Sequence, residues 1–279
     1  VCGMGPPSSG GLTVGLTLGM LTGFDLPGMG PDDPQSWHLL AEASKLAFAD
    51  RNQYVADGDF VPVPEAGLLH PDYLAKRAAF IRRETSILPP VVHGLPPGVP
   101  ARKRAPDTQT GRPGTSHISI VDGAGNAVSM TTTIEGAFGS QLMVRGFLLN
   151  NELTDFSFLP SKDGQLVANR VEPRKRPRSS MAPTLVFNAD GSLRLVVGSP
   201  GGSRIIGYVA KTLVAVLDWD LDIQAAIDLG HVVNRNGATD FEAGTEAEAL
   251  VPAFKALGHT TRVRDLNSGL HGIEIVDGK

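Results

Sequence analysis

The sequence contains one cysteine, Cys2, and few aromatic residues, which account for 6% of its 279 positions. A lone cysteine cannot form a disulfide within the chain, so the cysteine content does not indicate a redox compartment. No apolar run reaches roughly 18 residues without a Gly, Asp or Pro, so we expect no membrane-spanning helix. The first residues also lack the charged segment and apolar core of a signal peptide. We expect the natural N-terminus to lie upstream of residue 1. The sequence therefore does not distinguish a cytoplasmic protein from a periplasmic or secreted one.

A large charge excess and clustered metal ligands are absent as well. The chain has 25 Lys and Arg against 29 Asp and Glu, a net charge of −4, which gives no reason to expect a nucleic-acid partner. Its seven histidines are scattered, and no His/Cys/Asp cluster has the spacing of metal ligands. We therefore expect no metal and no organic cofactor. The hydrophobic content of 41% is sufficient for a sizeable core in a chain of this length.

The most informative part of the chain surrounds Thr115. Residues 89–114 are rich in proline and basic residues and have no hydrophobic period, which predicts an exposed, flexible linker. Directly after Gly114 come two alternating runs joined by Asp-Gly-Ala-Gly-Asn, which predict a β-hairpin with Thr115 at its head. A threonine at a chain terminus has its own general base in the free α-amine. Cleavage between Gly114 and Thr115 would create this nucleophile, although a strand that simply begins with threonine explains the same residues.

Five sequence blocks, through their order and spacing, favour a terminal nucleophile over a strand that simply begins with threonine. They are residues 4–11 (MGPPSSGG), 114–117 (GTSH), 148–157 (LLNNELTDFS), 176–184 (RPRSSMAPT) and 198–205 (GSPGGSRI). With these blocks the sequence resembles the γ-glutamyltransferase (glutathione hydrolase) family of N-terminal-nucleophile hydrolases over nearly the whole chain. The resemblance implies an α+β fold, the four-layer αββα sandwich of these hydrolases. Periodicity alone supports only the α+β class.

The resemblance also implies which residues react. Thr115 corresponds to the nucleophile that attacks the γ-carbonyl of a γ-glutamyl group, and Thr133 to a second threonine that orients its hydroxyl. Gly201 and Gly202 correspond to the oxyanion hole, where backbone N–H groups approach developing negative charge. Taken alone, Thr133 is explained by β-propensity, and the glycines by a turn between a strand and a helix. His117 alternates onto the same face as Thr115, and we expect it to be a packing residue or to support the site residues from behind, rather than to act as a base.

The resemblance assigns a second group of residues to substrate binding. Glu152 and Asp155 correspond to the acidic pair that holds the substrate α-ammonium group, and Ser179 and Ser180 to the serines that donate hydrogen bonds to its α-carboxylate. Without the resemblance these residues would be read as surface charges and an ordinary turn. Glu135 stands where studied transferases carry an asparagine that touches the substrate. The family's arginine for the α-carboxylate has no counterpart here, and we expect it upstream.

Domain organisation follows from the proposed cleavage. Residues 1–114 are expected to be the C-terminal part of a large subunit and end in the flexible linker, and residues 115–279 to be the small, catalytic subunit. Besides the hairpin, apolar patterns predict strands and helices. The predicted strands are residues 141–149, 184–188, 193–197, 261–264 and 272–276, and the predicted helices are 10–22, 34–54, 71–83, 205–219, 223–229 and 246–257.

Three functions are compatible with the sequence. The first is a γ-glutamyl hydrolase or transferase that cleaves glutathione or related compounds through a Thr115 γ-glutamyl-enzyme. The second is an acylase of the same fold that acts on β-lactam side chains or other amides, supported by Glu135 and by the short stretch between Asp155 and Ser179. The third is an inactive fragment, or half of a split enzyme that needs a missing N-terminal portion. The expected partners are a small γ-glutamyl substrate and the two subunits.

Overall fold

The computed structural model describes residues 1–99, 103–107, 114–266, 268–276 and 278. The helices are α1 (Gly10–Leu21), α2 (Leu26–Met29), α3 (Pro34–Tyr54), α4 (Glu65–Leu68), α5 (Pro71–Ala78), α6 (Ile205–Leu217), α7 (Ile223–Asp228) and α8 (Val251–Ala256). Three short 3-10 segments cover Glu152–Asp155, Gly202–Arg204 and Glu246–Leu250. Within the described ranges, none of the helices has the length and apolar character to cross a membrane.

The strands are short apart from one hairpin. They are β1 (Cys2–Gly3), β2 (Thr115–Val121), β3 (Ala127–Thr133), β4 (Met143–Val144), β5 (Phe147–Leu148), β6 (Ser161–Lys162), β7 (Gln165–Leu166), β8 (Thr184–Phe187), β9 (Leu193–Gly198), β10 (Val232–Asn234), β11 (Thr239–Glu242), β12 (Thr261–Arg264) and β13 (His271–Glu274). They form a four-stranded sheet of order β1-β8-β9-β13, a three-stranded sheet of order β10-β11-β12, and three hairpins.

The four-stranded sheet carries helices on one face and the hairpin β2–β3 on the other. Leu195 and Val197 of β9 belong to the same buried cluster as the apolar residues of α1, α3 and α6. On the opposite face, the ring of His117 lies against Gly198, where a Cβ would come within 2.2 Å of the ring. The helix-on-sheet arrangement confirms the α+β class. In the described part of the chain, the outer face of the hairpin has no covering helix, and it exposes Ile118, Ile120, Val128 and Met130.

Several predicted elements have the predicted bounds, and others differ. Helix α3 and strand β12 begin and end where the sequence predicts, and the hairpin β2–β3 starts at Thr115 and turns at residues 122–126 as predicted. The strand predicted at 141–149 is instead the hairpin β4–β5, because Arg145 and Gly146 at its turn both have positive φ, as a two-residue hairpin turn requires. The helix predicted at 246–257 is a 3-10 turn followed by α8, in which Pro252 occupies the first turn. Helix α5 ends at Ala78 and does not reach residue 83.

The described residues of the predicted linker are only partly exposed: Val92 and Leu95 are largely exposed, whereas other residues contact distant elements. The backbone N–H of Val91 donates to Asn236 Oδ1 at 2.6 Å, and the Asp107 carboxylate is buried and pairs with Arg178 at 3.0 Å. These segments pack because their backbone groups and the aspartate find buried partners on other elements. Arg102, Arg112 and Pro113 of the predicted linker lie outside the described residues.

Asp50 provides a test of how much one buried ion pair stabilises this fold. Its carboxylate is fully buried and accepts hydrogen bonds from Tyr73 Oη, Arg77 Nε and the Gly94 N–H. We expect Asp50→Ala to lower the free energy of unfolding by about 3–5 kcal/mol, because it leaves the guanidinium buried without a counterion. Denaturant unfolding measures this change.

Asp59 is the matched control. It also pairs with an arginine, Arg176, but both side chains are exposed. Asp59→Ala should change the free energy of unfolding by at most about 1 kcal/mol. Equal losses in the two variants would contradict the role assigned to the buried pair.

Candidate active site

Thr115 and Thr133 face each other at the open end of the hairpin, where they form a register pair. Thr115 Oγ1 donates to Thr133 Oγ1 at 3.3 Å. Thr133 Oγ1 accepts a second hydrogen bond from the Glu135 N–H at 2.8 Å and donates to the carbonyl oxygen of Gly114 at 3.3 Å. The Thr133 hydroxyl therefore links the candidate nucleophile to the carbonyl of the peptide bond that precedes it.

Gly114 and Glu135 lie in close backbone contact next to this pair. A Cβ on Gly114 would come within 1.9 Å of the Glu135 carbonyl oxygen, so the chain can pass here only as glycine. Glu135 is buried, has a positive φ of 70°, and its carboxylate accepts a hydrogen bond from Asn151 Nδ2. The Asn151 side chain also accepts from the Gly136 N–H at 2.8 Å. The loop after β3 is thereby fixed against the residues that precede β2.

One pocket brings together residues from distant parts of the chain. Eight predicted site residues line it, and Gly114 and Gly201 adjoin lining residues. Met181, Ser203 and Ile205, which the sequence analysis did not single out, complete the wall although they lie in or beside the matching blocks. The predicted lining residues are Thr115, Thr133, Glu135, Glu152, Asp155, Ser179, Ser180 and Gly202.

Ser179 and Ser180 present hydroxyl groups to this pocket. Ser179 Oγ accepts from the Met181 N–H at 3.1 Å, and Ser180 Oγ accepts from Arg51 Nη2 at 2.6 Å. No acceptor among the described residues takes the hydrogen of either hydroxyl. Since each hydroxyl has one hydrogen to donate, both are available to a ligand. Arg51 was missed by the sequence analysis.

Gly201 and Gly202 form the loop between β9 and α6. Their φ values are 135° and 60°, in the region that side-chain-bearing residues rarely adopt. Helix α6 begins three residues after Gly202, at Ile205. The N-terminal end of a helix favours negative charge. Glycine is therefore needed here for backbone conformation, and the same loop is favourable for an anion.

Three carboxylates share the pocket, and their electrostatics are unusual. Burial, followed by repulsion from Asp155 and Glu135, raises the pKa of Glu152 to about 7. Burial and the charge of Glu135 raise the pKa of Asp155 to about 6, against the opposing influence of Arg51 and Arg178. Two groups that ordinarily titrate near pH 4 therefore hold protons close to neutral pH. A cation placed between them would favour their ionised forms.

His38, Glu42 and His259 form a separate buried cluster whose geometry could hold a metal ion. The atoms that would bind a metal ion already form hydrogen bonds. His38 Nδ1 lies 2.8 Å from His259 Nε2, His38 Nε2 lies 2.7 Å from the Arg82 carbonyl oxygen, and Lys45 Nζ donates to Glu42 Oε1 at 2.6 Å. An ammonium group at the carboxylate opposes a second cation. We therefore assign the cluster a structural role.

Direct titration tests the proximity of the three carboxylates. By carboxyl ¹³C NMR, Glu152 and Asp155 should titrate near pH 7 and pH 6. Glu135→Gln should lower the pKa of both groups, because it removes a neighbouring negative charge. Asp190→Asn, in an exposed turn outside the pocket, is the control and should change neither. If Glu135→Gln also leaves both unchanged, the carboxylates do not interact.

Comparisons of the sequence identify relatives. The family model described as gamma-glutamyltranspeptidase matches residues 1–279. The chain is 37% identical over 262 residues to a glutathione hydrolase proenzyme of Bacillus subtilis, covering 91% of this chain and 43% of that protein. It is 33% identical over 261 residues to an acylase ACY 1 proenzyme of a Pseudomonas species, covering 93% of this chain and 43% of the relative. The chain thus spans less than half of the length of these curated relatives.

Solved structures show the same relationship. A mutant of Helicobacter pylori gamma-glutamyltranspeptidase is 34% identical, with a TM-score of 0.52 over 57% of this chain and 90% of that chain. A cephalosporin acylase from Bacillus halodurans is 24% identical, with a TM-score of 0.74 over 94% of this chain and 44% of the other, and indicates a shared fold. The match of the family model along residues 1–279 shows that the chain belongs to the gamma-glutamyltranspeptidase family.

Proposed function

We propose that this chain is the catalytic part of a γ-glutamyl hydrolase or transferase that acts on glutathione or a related compound. The observation that carries the proposal is the hydrogen-bonded series Thr115, Thr133 and Gly114 at a pocket with carboxylates on one side and free hydroxyl donors on another. Several relatives bear the name glutathione hydrolase proenzyme, which accords with a precursor that is cleaved.

The first step of the proposal is self-cleavage. Thr115 Oγ1 attacks the carbonyl carbon of Gly114, the C–N bond breaks, the hydroxyl proton passes to the departing Thr115 nitrogen, and the acyl group stays on the oxygen as an ester. The Thr133 hydroxyl donates to the Gly114 carbonyl oxygen and would stabilise the negative charge that develops there. Water hydrolyses the ester and leaves Thr115 with a free α-amine. Residues 1–114 then form the end of a large subunit, and residues 115–279 a small catalytic subunit.

The second step is recognition of an α-amino acid group. Carboxylates suit an ammonium ion, and hydroxyl donors suit a carboxylate. We therefore assign the substrate α-ammonium to Glu152 and Asp155, and its α-carboxylate to Ser179 and Ser180. An ammonium between Glu152 and Asp155 would favour release of the protons that their raised pKa values retain.

The third step is acyl transfer. The α-amine of Thr115 takes the proton from its own hydroxyl, and Oγ1 attacks the γ-carbonyl of the substrate. Backbone N–H groups at Gly201 and Gly202 stabilise the oxyanion. The leaving amine accepts a proton, and a γ-glutamyl ester remains on Thr115. Water or an amino acid then attacks this ester, which gives hydrolysis or transfer.

Acylase activity is the second candidate, favoured by the 33% identity to acylase ACY 1 proenzymes. An acylase for glutaryl-type amides would not need an ammonium site, so the acidic pair Glu152 and Asp155 supports the γ-glutamyl hypothesis.

The third hypothesis is that this chain is an inactive fragment or half of a split enzyme. It is based on length, because the curated relatives are more than twice as long as the matched part. Activity that appears only on addition of a separately produced N-terminal portion would indicate a split enzyme.

Self-cleavage is tested by the intact mass of the purified protein after incubation near neutral pH. We expect two fragments divided between Gly114 and Thr115, and an intact chain in Thr115→Ala, which has no nucleophile. Thr132→Ala is the matched control, because Thr132 is exposed on the opposite side of the same strand pair and should cleave normally. An intact chain in all three proteins would contradict self-processing by this chain.

Substrate recognition is tested with γ-glutamyl and glutaryl p-nitroanilides, which differ only in the α-ammonium group. Asp155→Asn should lower kcat/KM for the γ-glutamyl amide by roughly 10- to 100-fold, as expected for a lost hydrogen bond to a charged group, and leave the glutaryl amide nearly unchanged. Lowering the pH through 7 and 6 should reduce the ratio of the two kcat/KM values, since protonated carboxylates no longer attract the ammonium.

The titration of the Thr115 α-amine changes kcat/KM for both substrates equally, so it cancels in the ratio of the two values. Asp190→Asn, in an exposed turn, serves as the control and should keep the wild-type ratio. A wild-type protein that prefers the glutaryl amide would favour the acylase reading instead.

A further inference from the structure

Arg51 lies in the last turn of α3, and its guanidinium is buried behind Ser180. Its Nε donates to Ser9 Oγ at 2.8 Å, its Nη1 to Asn52 Oδ1 at 3.0 Å, and its Nη2 to Ser180 Oγ at 2.6 Å. All three acceptors are neutral oxygens. The arginine is therefore hydrogen-bonded but not neutralised by these contacts.

Arg51 differs in this respect from the two other buried arginines nearby. Arg77 pairs with Asp50 at 3.1 Å, and Arg178 pairs with Asp107 at 3.0 Å. No carboxylate in the described part of the chain forms an ion pair with Arg51. Burial and the charge of Arg178 lower the pKa of Arg51, yet a guanidinium keeps its proton in proteins. Asp107 and Asp155 attract Arg51 without forming an ion-pair contact with it, and an anion bound beside Ser180 would add a further counter-charge to this buried guanidinium.

The hydrogen bonds of Arg51 also determine how the two serines are oriented. A guanidinium can only donate, so Ser180 Oγ must accept from it and direct its own hydrogen elsewhere. Ser9, the second acceptor, holds the neighbouring serine, because its Oγ and its N–H both donate to the Ser179 carbonyl oxygen, at 2.6 and 2.8 Å. Arg51 thus contacts the Ser180 hydroxyl directly and is connected through Ser9 to the backbone of Ser179.

The charges around the pocket are arranged as a dipole. Glu152 and Asp155 lie on its wall, whereas Arg51 lies behind Ser180. Attraction between Arg51 and Asp155 lowers the aspartate pKa, although burial and the charge of Glu135 outweigh it. A ligand with an ammonium and a carboxylate on one carbon matches this arrangement in one orientation only, and that orientation places the carboxylate at the serines.

We propose that Arg51 is a positioning residue that directs the Ser180 hydroxyl toward the substrate α-carboxylate, holds the backbone at Ser179 through Ser9, and adds positive charge behind this site to that of the arginine expected upstream. The inference rests on the carboxylate site of the proposed function and adds to it a residue from the segment before Thr115. Arg51 acts through the serines and has no direct contact with the reacting atoms.

The test compares γ-glutamyl p-nitroanilide with 4-aminobutanoyl p-nitroanilide, which keeps the ammonium and the amide but lacks the α-carboxylate. In the full chain, Arg51→Gln should lower kcat/KM for the γ-glutamyl amide by about 10- to 100-fold, mainly through KM. Assayed at a pH well above the pKa values of Glu152 and Asp155, so that both stay ionised in every variant, it should change the 4-aminobutanoyl amide by less than about threefold, because no carboxylate contact is lost. Arg51→Lys keeps the charge without the planar fork and should recover part of the kcat/KM that Arg51→Gln loses for the γ-glutamyl amide.

Arg178→Gln is the matched control. It removes a buried arginine that already has a counterion, Asp107, so it should destabilise the fold and affect both amides equally. An equal loss for both amides in Arg51→Gln would overturn the proposal and leave Arg51 a structural residue. If Arg51→Gln fails to fold, Arg51→Lys provides the test. A ratio of the two kcat/KM values equal to that of the wild type in Arg51→Lys would show that the planar guanidinium is not needed, and would contradict a positioning role.

Calorimetric binding of L-glutamate and 4-aminobutanoate to the same variants gives the comparison without turnover. Glutamate binding that weakens in Arg51→Gln supports the inference even if no amide is cleaved, in which case the proposed catalytic function fails alone. Cleavage of the γ-glutamyl amide that is insensitive to Arg51 has the opposite meaning: the function stands and the inference fails.

Discussion

The contact between the hairpin β2–β3 and the four-stranded sheet determines where Thr115 lies. Polar side chains form this contact: Ser129 Oγ donates to the Val197 carbonyl oxygen at 3.1 Å and accepts from the Thr184 N–H at 3.0 Å. Side chains alternate along a strand, so a shift of register by one residue would turn Thr115 and Thr133 away from the sheet together. Hydrogen bonds with fixed partners, which apolar packing alone does not provide, therefore hold the hydroxyl pair at the pocket.

The pocket combines groups whose individual environments are unfavourable. Three carboxylates lie close together, and Arg51 is buried without an ion-pair partner among the described residues. Each arrangement is destabilising when the pocket is empty, because like charges repel and a buried charge loses its hydration. A zwitterionic amino acid group would relieve both at once. Binding energy would then come partly from removing strain that the fold already contains.

The sequence predicts local features well and contacts between distant residues poorly. Helix α3 and the hairpin β2–β3 were predictable because each has a strong period and clear boundary residues. Strands β10 and β11 were not, because they are short and are stabilised by pairing with each other and, for β11, with β12. Resemblance to the family selected the pocket residues, whose roles stay predictions. Arg51 could not be found, because an arginine near a helix end reads as solvent-facing and its contact with Ser180 spans 129 residues.

The segments before and after the bond between Gly114 and Thr115 share one hydrophobic core. Apolar residues of α1 and α3 pack with those of α6 in a single buried cluster. Cleavage of that bond would leave these contacts in place. Refolding would then be bimolecular, since two separate chains would have to associate again after unfolding. The thermal stability of the processed form would then depend on protein concentration, whereas that of the uncleaved precursor would not.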